Sequence, residues 1–470
     1  MAQDDRNALL AHAAQLGAQY LETVSDRPAG ASATGAELRA ILGAPLAAEG
    51  CSGLALLDTL AGAAARGTTA TQGPRYFGFV TGGSLPAATA ADWLVSAWDQ
   101  NGAVYALSPL LSVVESTVAD WLRDLLGLPA PTSVGFVTGA QMANFTALAA
   151  ARHQVLQAAG WDVETHGLNG APAIDLLVSE EAHYTVTMAL RLLGLGAARA
   201  RRVPTDGQGR MRASELARML AGSSGPCIVC AQAGNVNTGA FDPIRDLAAI
   251  TRTRGAWLHV DGAFGLWARV SPALAGLVRG LEGADSIATD GHKWLNVPYD
   301  CGIVLCAHPE AHRAAMSLAA SYIVADSAER DPHAFVPEES RRGRAVPVYA
   351  ALRSLGRNGL RALVERNCAQ ARRMAERLAG NPCVKVLNEV VLNQVLVRFE
   401  SASRESDRGD ALTRAVIAAV QREGTCWLGG TTWHGKAAMR IAISNWSTTE
   451  ADIDRSAEAI LRALGSVLDA

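Results

Sequence analysis

The fold is decided by the stretch Ser286-Ile287-Ala288-Thr289-Asp290-Gly291-His292-Lys293-Trp294. Its first half is a short run typical of a buried strand, and a glycine then opens a polar turn. An earlier stretch has the same form, because Trp257-Leu258-His259-Val260 is followed by Asp261. In sheets of parallel strands, ligands bind beyond the carboxyl ends of the strands. The residues that follow these two strands are therefore the first candidates for chemistry.

The same alternation of strand and helix extends over the middle of the chain and predicts an α/β fold with a mostly parallel sheet covered by helices. Strands are predicted at residues 134–137, 174–178, 226–231, 257–260 and 302–306, and helices at 141–157, 182–193 and 243–254. Further on, a helix, a strand pair near 384–399, a helix at 409–423 and a strand near 438–443 favour a smaller α+β domain. We predict three parts: a helical N-terminal segment for dimerisation (1–95), a large ligand-binding domain (96–360) and a small C-terminal domain (361–470).

Composition and charge exclude several classes of protein. The chain has 470 residues and a net charge of −3, which gives no electrostatic reason to bind nucleic acid or an anionic membrane. The start of the chain is polar and acidic, unlike a signal peptide, and glycines and prolines interrupt the uncharged stretch 125–151. Cys227 and Cys230 have a CxxC spacing inside a strand-like run, where they point to opposite faces, so free thiols are expected rather than a metal site. We expect a soluble, cytoplasmic protein.

Asp261 and Lys293 form the pair that an enzyme using pyridoxal 5′-phosphate (PLP) requires. The lysine amine carries the cofactor aldehyde as a Schiff base, and the carboxylate keeps the pyridine nitrogen protonated. The chain has only three lysines, at 293, 385 and 436, while arginine fills nearly every other basic position. A guanidinium does not replace the amine in this role. A structural lysine is the alternative interpretation.

Two further strand ends supply groups for the rest of such a cofactor. Thr138-Gly139-Ala140-Gln141 lies between a predicted strand and a predicted helix, where backbone N–H groups bind phosphate, although an ordinary turn between strand and helix has the same pattern. His183 follows the strand at 174–178 and begins a helix, so its imidazole is placed to stack on a ring. A helix-capping or core histidine is the alternative there.

Three segments together resemble the group II PLP-dependent amino-acid decarboxylases. They are Ala182-His183-Tyr184-Thr185-Val186, His259-Val260-Asp261-Gly262-Ala263 and the run from Asp290-Gly291-His292-Lys293-Trp294 to Asp300-Cys301-Gly302. The resemblance extends from about residue 74 to residue 446. It implies a fold-type I architecture and a homodimer with shared active sites that acts on a small-molecule substrate, an amino acid.

The resemblance also implies roles for individual residues. Lys293 carries the cofactor, Asp261 pairs with its ring nitrogen, and His183 and Ala263 enclose the ring. Ala140, Gln141 and His292 lie at the phosphate. The substrate pocket is lined by Phe79, Val80 and Thr81, and Tyr105 reaches the partner's active site. Phe79, Trp98 and Tyr105 favour an apolar or aromatic substrate side chain, although each is also compatible with a core position.

One departure from the family leaves the outcome of the reaction open. Aromatic decarboxylases carry a loop tyrosine that helps to protonate the substrate carbon after CO2 leaves. Here the polar stretch 326–344, predicted as a mobile loop that closes over the substrate, has none. His333 or Tyr322 is the candidate replacement, with His333 preferred. The alternatives are an aldehyde synthase, an aminotransferase in which Arg440 clamps the substrate carboxylate, or a catalytically idle PLP-fold protein. A structural salt bridge is the other interpretation of Arg440.

Overall fold

The computed structural model describes residues 5–317, 329–400 and 406–469. They form two compact units. The first, called the terminal unit, comprises Met1–Thr81, Arg373–Val386 and Leu396–Ala470, and the second, called the sheet unit, comprises Gly82–Arg372 and Leu387–Val395.

The helices of the described residues cover more of the chain than the strands do. They are α1 (Arg6–Thr23), α2 (Gly35–Leu42), α3 (Gly53–Gly67), α4 (Pro86–Trp98), α5 (Pro109–Leu126), α6 (Ala140–Ala158), α7 (Val163–His166), α8 (Tyr184–Leu192), α9 (Ala213–Ala221), α10 (Ile244–Thr253), α11 (Pro309–Met316), α12 (Ala345–Ala379), α13 (Ser406–Glu423) and α14 (Glu450–Leu468). Helix α12 is kinked at Gly356, where φ is +60°. None of the helices described is long and apolar enough to cross a membrane.

A seven-stranded sheet forms the centre of the sheet unit. Its strands are β1 (Ser133–Val137), β2 (Asp175–Ser179), β3 (Arg201–Val203), β4 (Cys227–Gln232), β5 (Trp257–Asp261), β6 (Ser286–Asp290) and β7 (Gly302–Cys306), in the order β1-β7-β6-β5-β4-β2-β3. Strand β7 is antiparallel to both of its neighbours, β1 and β6, and the other neighbouring pairs are parallel. A parallel pair needs a crossover of a dozen or more residues, and the link from β6 to β7 is too short for one. The predicted α/β fold with a mostly parallel sheet is confirmed.

Small residues bring α6 close to the sheet. Ala143 and Ala147 of this helix share a buried cluster with Val137, Ala288 and Val304, which lie on β1, β6 and β7. Alanine leaves little volume between a helix and a strand, so the start of α6 is held at the carboxyl ends of β1 and β6. This packing places the turn at Gly139 beside the turn that follows Asp290.

The second sheet has four strands in the order β10-β11-β9-β8, with bounds β8 (Val384–Val386), β9 (Gln394–Phe399), β10 (Gly429–Trp433) and β11 (Lys436–Ala442). Strands β8 and β9 are antiparallel, which confirms the predicted strand pair. Capping boxes start two helices of the terminal unit, α2 at Thr34 and α14 at Thr449.

The cysteines of the described residues are free, as predicted. Cys227 and Cys230 lie on β4, and burial is the main influence that raises the pKa of both thiols, that of Cys227 to about 12. Both side chains are therefore neutral thiols at physiological pH and act as small core residues.

Candidate cofactor site at the carboxyl ends of the central strands

Asp261 and Lys293 belong to adjacent strands, as the sequence predicts. Asp261 ends β5, and it is in register with Ala288 of β6. Lys293 follows the end of β6 by three residues, and its Nζ lies 2.9 Å from Oδ2 of Asp290. Burial works to lower the pKa of Lys293, but the carboxylates of Asp290 and Asp261 more than offset it, so the pKa is raised. The amine is therefore held as an ammonium ion in the protein as described.

Asp290 is a site residue to which sequence analysis gave no role. Its side chain is buried, and Oδ1 accepts a hydrogen bond from the backbone N–H of Ala140 at 2.6 Å. The same oxygen lies 3.3 Å from Nε2 of His292. One carboxylate thus joins the start of α6, the imidazole and the lysine. Its position at the end of β6, which matches that of Asp261 on β5, was the signal in the sequence.

His292 is fixed in one tautomer by its neighbours. Its Nδ1 accepts the backbone N–H of Cys301 at 3.0 Å, so the proton of the neutral ring is on Nε2, facing Asp290. The ring also stacks on Tyr299, with 4.2 Å between the ring centroids. Burial lowers the pKa of His292, which favours this neutral form.

The turn before α6 is narrow for a structural reason. A Cβ atom added to Gly139 would lie 3.1 Å from Cε1 of His292, and one added to Gly302 would lie 2.3 Å from the backbone of Gly139. Glycine at both positions lets β1, β7 and the 291–293 turn approach closely. Helix α6 begins at Ala140, so Ala140 and Gln141 belong to its first turn, where N–H groups lack partners within the helix.

Asp261 accepts hydrogen bonds at both carboxylate oxygens. The backbone N–H of Ala263 donates to Oδ1 at 3.1 Å, and Nδ2 of Asn144 donates to Oδ2 at 3.2 Å. Asn144 was missed in the sequence, where it is a polar residue in an alanine-rich helix. Its Nδ2 is also 3.4 Å from Oγ1 of Thr185, the hydroxyl that bonds Nδ1 of His183 at 2.8 Å. Asn144 and Thr185 therefore connect His183 with Asp261 and Ala263 around one space.

Phe79, Val80 and Thr81 lie in the terminal unit. Phe79 and Val80 have φ values of +52° and +58°, a region that costs energy for any residue with a Cβ and most for a β-branched one. The Phe79 ring stacks on Trp427, whose own ring stacks on Tyr76, and yet Phe79 is 65% exposed. Val80 and Thr81 are buried. Trp427, like Asp290 and Asn144, was not found from the sequence.

The segment around His333 is bonded to the sheet unit. Tyr105 donates its N–H to Asp331, and His333 donates its N–H to the carbonyl of Ala103, both at 2.9 Å. His333 itself is buried in a short 3-10 helix, Pro332–Phe335, and its Nδ1 is 3.0 Å from Oε2 of Glu339. The structure thus places His333 with residues 103–105.

Residues 329–344, predicted as part of a mobile loop, contact the rest of the sheet unit through several arginines. That the loop moves and closes over the substrate stays a prediction. Arg341 is buried, pairs with Glu115 and donates to the carbonyls of Gly102 and Phe136. Long-range hydrogen bonds of this kind anchor a segment whose polar composition is otherwise typical of a loop. Residues 326–328 and Tyr322 lie outside the described residues.

Arg440 lies on β11 opposite Gly429. Burial lowers the pKa of its guanidinium. Within the described part of the chain, Arg440 forms no ion pair, so the structural salt bridge considered from sequence is not found there.

The chemistry of this donor set fits PLP. An amine, a carboxylate, an imidazole and a helix start meet at one edge of the sheet, and each matches one functional part of the cofactor: aldehyde, ring nitrogen, ring face and phosphate. The narrow space between Gly139 and His292 also fits this interpretation, because a side chain at position 139 would fill it.

Comparison with known protein families identifies the family of this chain. Residues 46–400 match the model for the pyridoxal-dependent decarboxylase conserved domain. The chain belongs to this family. Its fold and its cofactor, PLP, are those that the sequence predicted, and it is a PLP-dependent carboxy-lyase that acts on an amino acid.

Named relatives span several substrates. The chain is 30% identical over 384 residues to L-2,4-diaminobutyrate decarboxylase of Rhizobium meliloti, covering 79% of this chain and 74% of the relative. It is 27% identical to aromatic-L-amino-acid decarboxylase of Bacillus atrophaeus, with 80% and 78% covered. Among solved structures, Oryza sativa TDC with PLP and tryptamine superposes with a TM-score of 0.91 at 22% identity, covering 99% of both chains. That likeness establishes the fold.

Proposed function

We propose that this decarboxylase converts an L-amino acid with an apolar or aromatic side chain into its amine and CO2, using Lys293, Asp261 and His183. The observation that carries the proposal is the meeting of these groups at the ends of β5 and β6 and the start of α8. The exposed ring of Phe79 supports an apolar substrate side chain, as does the name of the Bacillus relative. The Rhizobium relative carries a different substrate name, so the side chain is the part that most needs a test.

When bound, PLP supplies an electron sink for the electrons that remain on Cα as CO2 leaves. Lys293 provides the amine that attaches the cofactor, and Asp290 holds that amine in place beforehand. Asp261 keeps a proton on the ring nitrogen. His183, fixed through Thr185, covers one face of the ring and excludes water there. The first turn of α6, with Ala140 and Gln141, binds the phosphate beside His292.

The substrate pocket is proposed at Phe79, Val80 and Thr81. The backbone at Phe79 and Val80 is left-handed. The Phe79 ring is exposed on one side and stacks on Trp427 on the other. Strained backbone of this kind is stored at functional sites more often than elsewhere. We propose that the Phe79 ring contacts the substrate side chain and that Thr81 approaches the carboxylate that leaves.

The test is a product profile. Purified PLP-loaded protein is incubated with each of the twenty L-amino acids, and CO2 and amine are measured together. We expect equal amounts of both, the highest rate with an apolar or aromatic substrate, and no product from Lys293→Ala. Lys385→Ala is the matched control, because Lys385 pairs with Glu400 on the second sheet and should keep full activity. A profile that peaks at an acidic or cationic amino acid would contradict the proposed side-chain class.

An aldehyde synthase is a second candidate, favoured by two observations. No tyrosine lies between residues 322 and 349, and a relative 25% identical over 400 residues is 4-hydroxyphenylacetaldehyde synthase of Rhodiola rosea. That outcome consumes O2 and water and releases aldehyde, ammonia and H2O2 with the CO2. Measurement of H2O2 and ammonia separates the two outcomes. If His333 donates the proton that yields amine, His333→Ala should raise the share of aldehyde, and an unchanged product ratio would remove His333 from the reaction.

A further inference from the structure

We infer that a buried chain of hydrogen bonds, from Trp257 through Ser286, His259 and Asn144, ends on Asp261 and fixes the orientation of that carboxylate. All five residues belong to the sheet unit, and each is buried. The inference rests on the proposed role of Asp261 as the partner of the ring nitrogen. It assigns positioning roles to four residues, none of which needs to touch the substrate.

The direction of the first bond follows from the chemistry of the indole. Nε1 of Trp257 is a donor only, and it lies 2.8 Å from Oγ of Ser286. The serine oxygen therefore accepts from Trp257. Its own proton is then free to point at Nδ1 of His259, 3.0 Å away.

The second half of the chain follows from the first. Since Nδ1 of His259 accepts, the single proton of a neutral imidazole is on Nε2, which lies 2.8 Å from Oδ1 of Asn144. His259 is neutral because burial lowers its pKa to about 3. Nδ1 of His259 thus faces Ser286, and Nε2 faces Asn144.

Asn144 connects the tautomer of His259 with the orientation of Asp261. With Oδ1 engaged by His259, the amide presents Nδ2, a donor, to Oδ2 of Asp261 at 3.2 Å. The Ala263 N–H donates to the other oxygen. Both carboxylate oxygens of Asp261 therefore face hydrogen-bond donors. If the amide were flipped, its oxygen would face the carboxylate and repel it.

Two other titratable groups interact with Asp261, but neither takes over the role of the hydrogen-bond chain. Lys293 interacts with Asp261 in the protein as described, but its amine is committed to attaching the cofactor. The thiol of Cys230 on β4 interacts with Asp261 and stays neutral, because burial and then the Asp261 charge raise its pKa. Asn144 and Ala263 therefore remain as the donors that hold Asp261 once the cofactor is attached.

The test interrupts the hydrogen-bond chain at Ser286 and leaves the residues that contact the cofactor unchanged. Ser286→Ala should leave His259 without a fixed tautomer, so that Asn144 is no longer held. The readout is the visible absorption band of bound PLP, titrated with pH in the absence of substrate. We expect the midpoint of the titration to move by about half a pH unit or more. Asn144→Asp, which faces Asp261 with a second carboxylate, should move it further and weaken PLP binding about tenfold or more.

Ser133→Ala is the matched control. Ser133 is also a buried strand serine bonded to a buried histidine, Nδ1 of His312 at 2.8 Å, and that histidine also has its pKa lowered to about 3. Neither residue takes part in the hydrogen-bond chain to Asp261, so Ser133→Ala should leave the absorption titration unchanged. Thermal unfolding is measured to confirm that both serine variants fold. Equal effects of the two serine variants, or none from Ser286→Ala and Asn144→Asp, would overturn the inference. If the variants show the shifted titration but the wild-type protein forms no amine, the proposed function is contradicted and the inferred hydrogen-bond chain still stands.

Discussion

Lys293 Nζ and Asp290 Oδ2 lie 2.9 Å apart within one turn, so the candidate cofactor lysine is paired with a carboxylate that precedes it by three residues. The same carboxylate holds the first N–H of α6. Because Asp290 contacts both the amine and the start of α6, we expect it to influence how the cofactor is taken up. It keeps the amine protonated, while attachment to an aldehyde requires the neutral amine.

The first prediction concerns this pair. Asp290 raises the pKa of Lys293, so uptake of PLP by the apoprotein should become faster as pH rises. In Asp290→Asn the larger of the two carboxylate charges that raise the pKa is gone, while the charge of Asp261 and the burial that lowers the pKa remain. The pH profile of the uptake rate should therefore move to lower pH, measured by the growth of the visible PLP band after mixing. A profile that is identical in wild type and variant would show that Asp290 does not control the amine.

Asp261→Ala should lower the rate of decarboxylation by about a hundredfold or more, comparable to removal of a strong electrostatic stabiliser. The measurement is turnover at full PLP occupancy, established from bound cofactor per chain. Asp300→Ala is the control, because the side chain of Asp300 is 41% exposed and pairs with Arg344, so its removal should have a small effect. Near-normal turnover of a PLP-loaded Asp261→Ala protein would mean that this carboxylate has another task.

Stability should depend on two buried histidines as pH falls. His259 and His312 have pKa values lowered to about 3 by burial, while in the unfolded chain a histidine binds its proton near pH 6.5. Their contribution is therefore complete above pH 6.5 and is lost as pH falls from 6.5 towards 3, by up to about 1.4 kcal/mol per pH unit for each residue. Asp242 acts in the opposite sense, because burial raises its pKa to about 7.

Comparison with a variant isolates one histidine from these opposing effects. Between pH 6.5 and 4.5, the free energy of unfolding of His312→Gln should depend on pH less steeply than that of the wild type, by about 1.4 kcal/mol per unit. Urea unfolding at three pH values measures both slopes. Parallel slopes would show that His312 takes up its proton in the folded state.

The protein should be a dimer. Leucines of α3 in the terminal unit and large side chains of α4 in the sheet unit are exposed, an arrangement that is costly for a monomer. They are Leu54, Leu56, Leu60, Trp93, Leu94 and Trp98. Analytical ultracentrifugation at nanomolar concentration should give a dimer, and Trp93→Glu should weaken it while Leu468→Glu, a control on the last helix, should not. An active wild-type monomer at that concentration would refute the proposal that active sites are shared.

The positions of Asp261 and Lys293 could be predicted because both follow short buried strands, and strand order places such ends together. Asp290 obeys the same rule, but the sequence does not tell which strand-end carboxylate faces the amine. Asn144 could not be found in this way. Its role depends on His259, 115 residues away in the sequence, and helix periodicity carries no information on that approach.

The long-range contacts of the segment 329–344 could not be predicted for a related reason. Its charges and prolines are typical of a solvated loop, and a local pattern does not reveal that Arg341 finds Glu115 across 226 residues. A buried, paired arginine and an exposed one have the same sequence signature. Predictions from local composition therefore succeed for strands and helix starts and fail where long-range pairing decides burial.

The most direct measurement of the central claim is the site of cofactor attachment. PLP-loaded protein is reduced with borohydride, digested and mapped by mass spectrometry. The chain offers only three lysines, which makes the outcome unambiguous. The account predicts that the cofactor is fixed on the peptide containing Lys293 and that Lys293→Ala carries none. Label on Lys385 or Lys436 in the wild-type protein would contradict it.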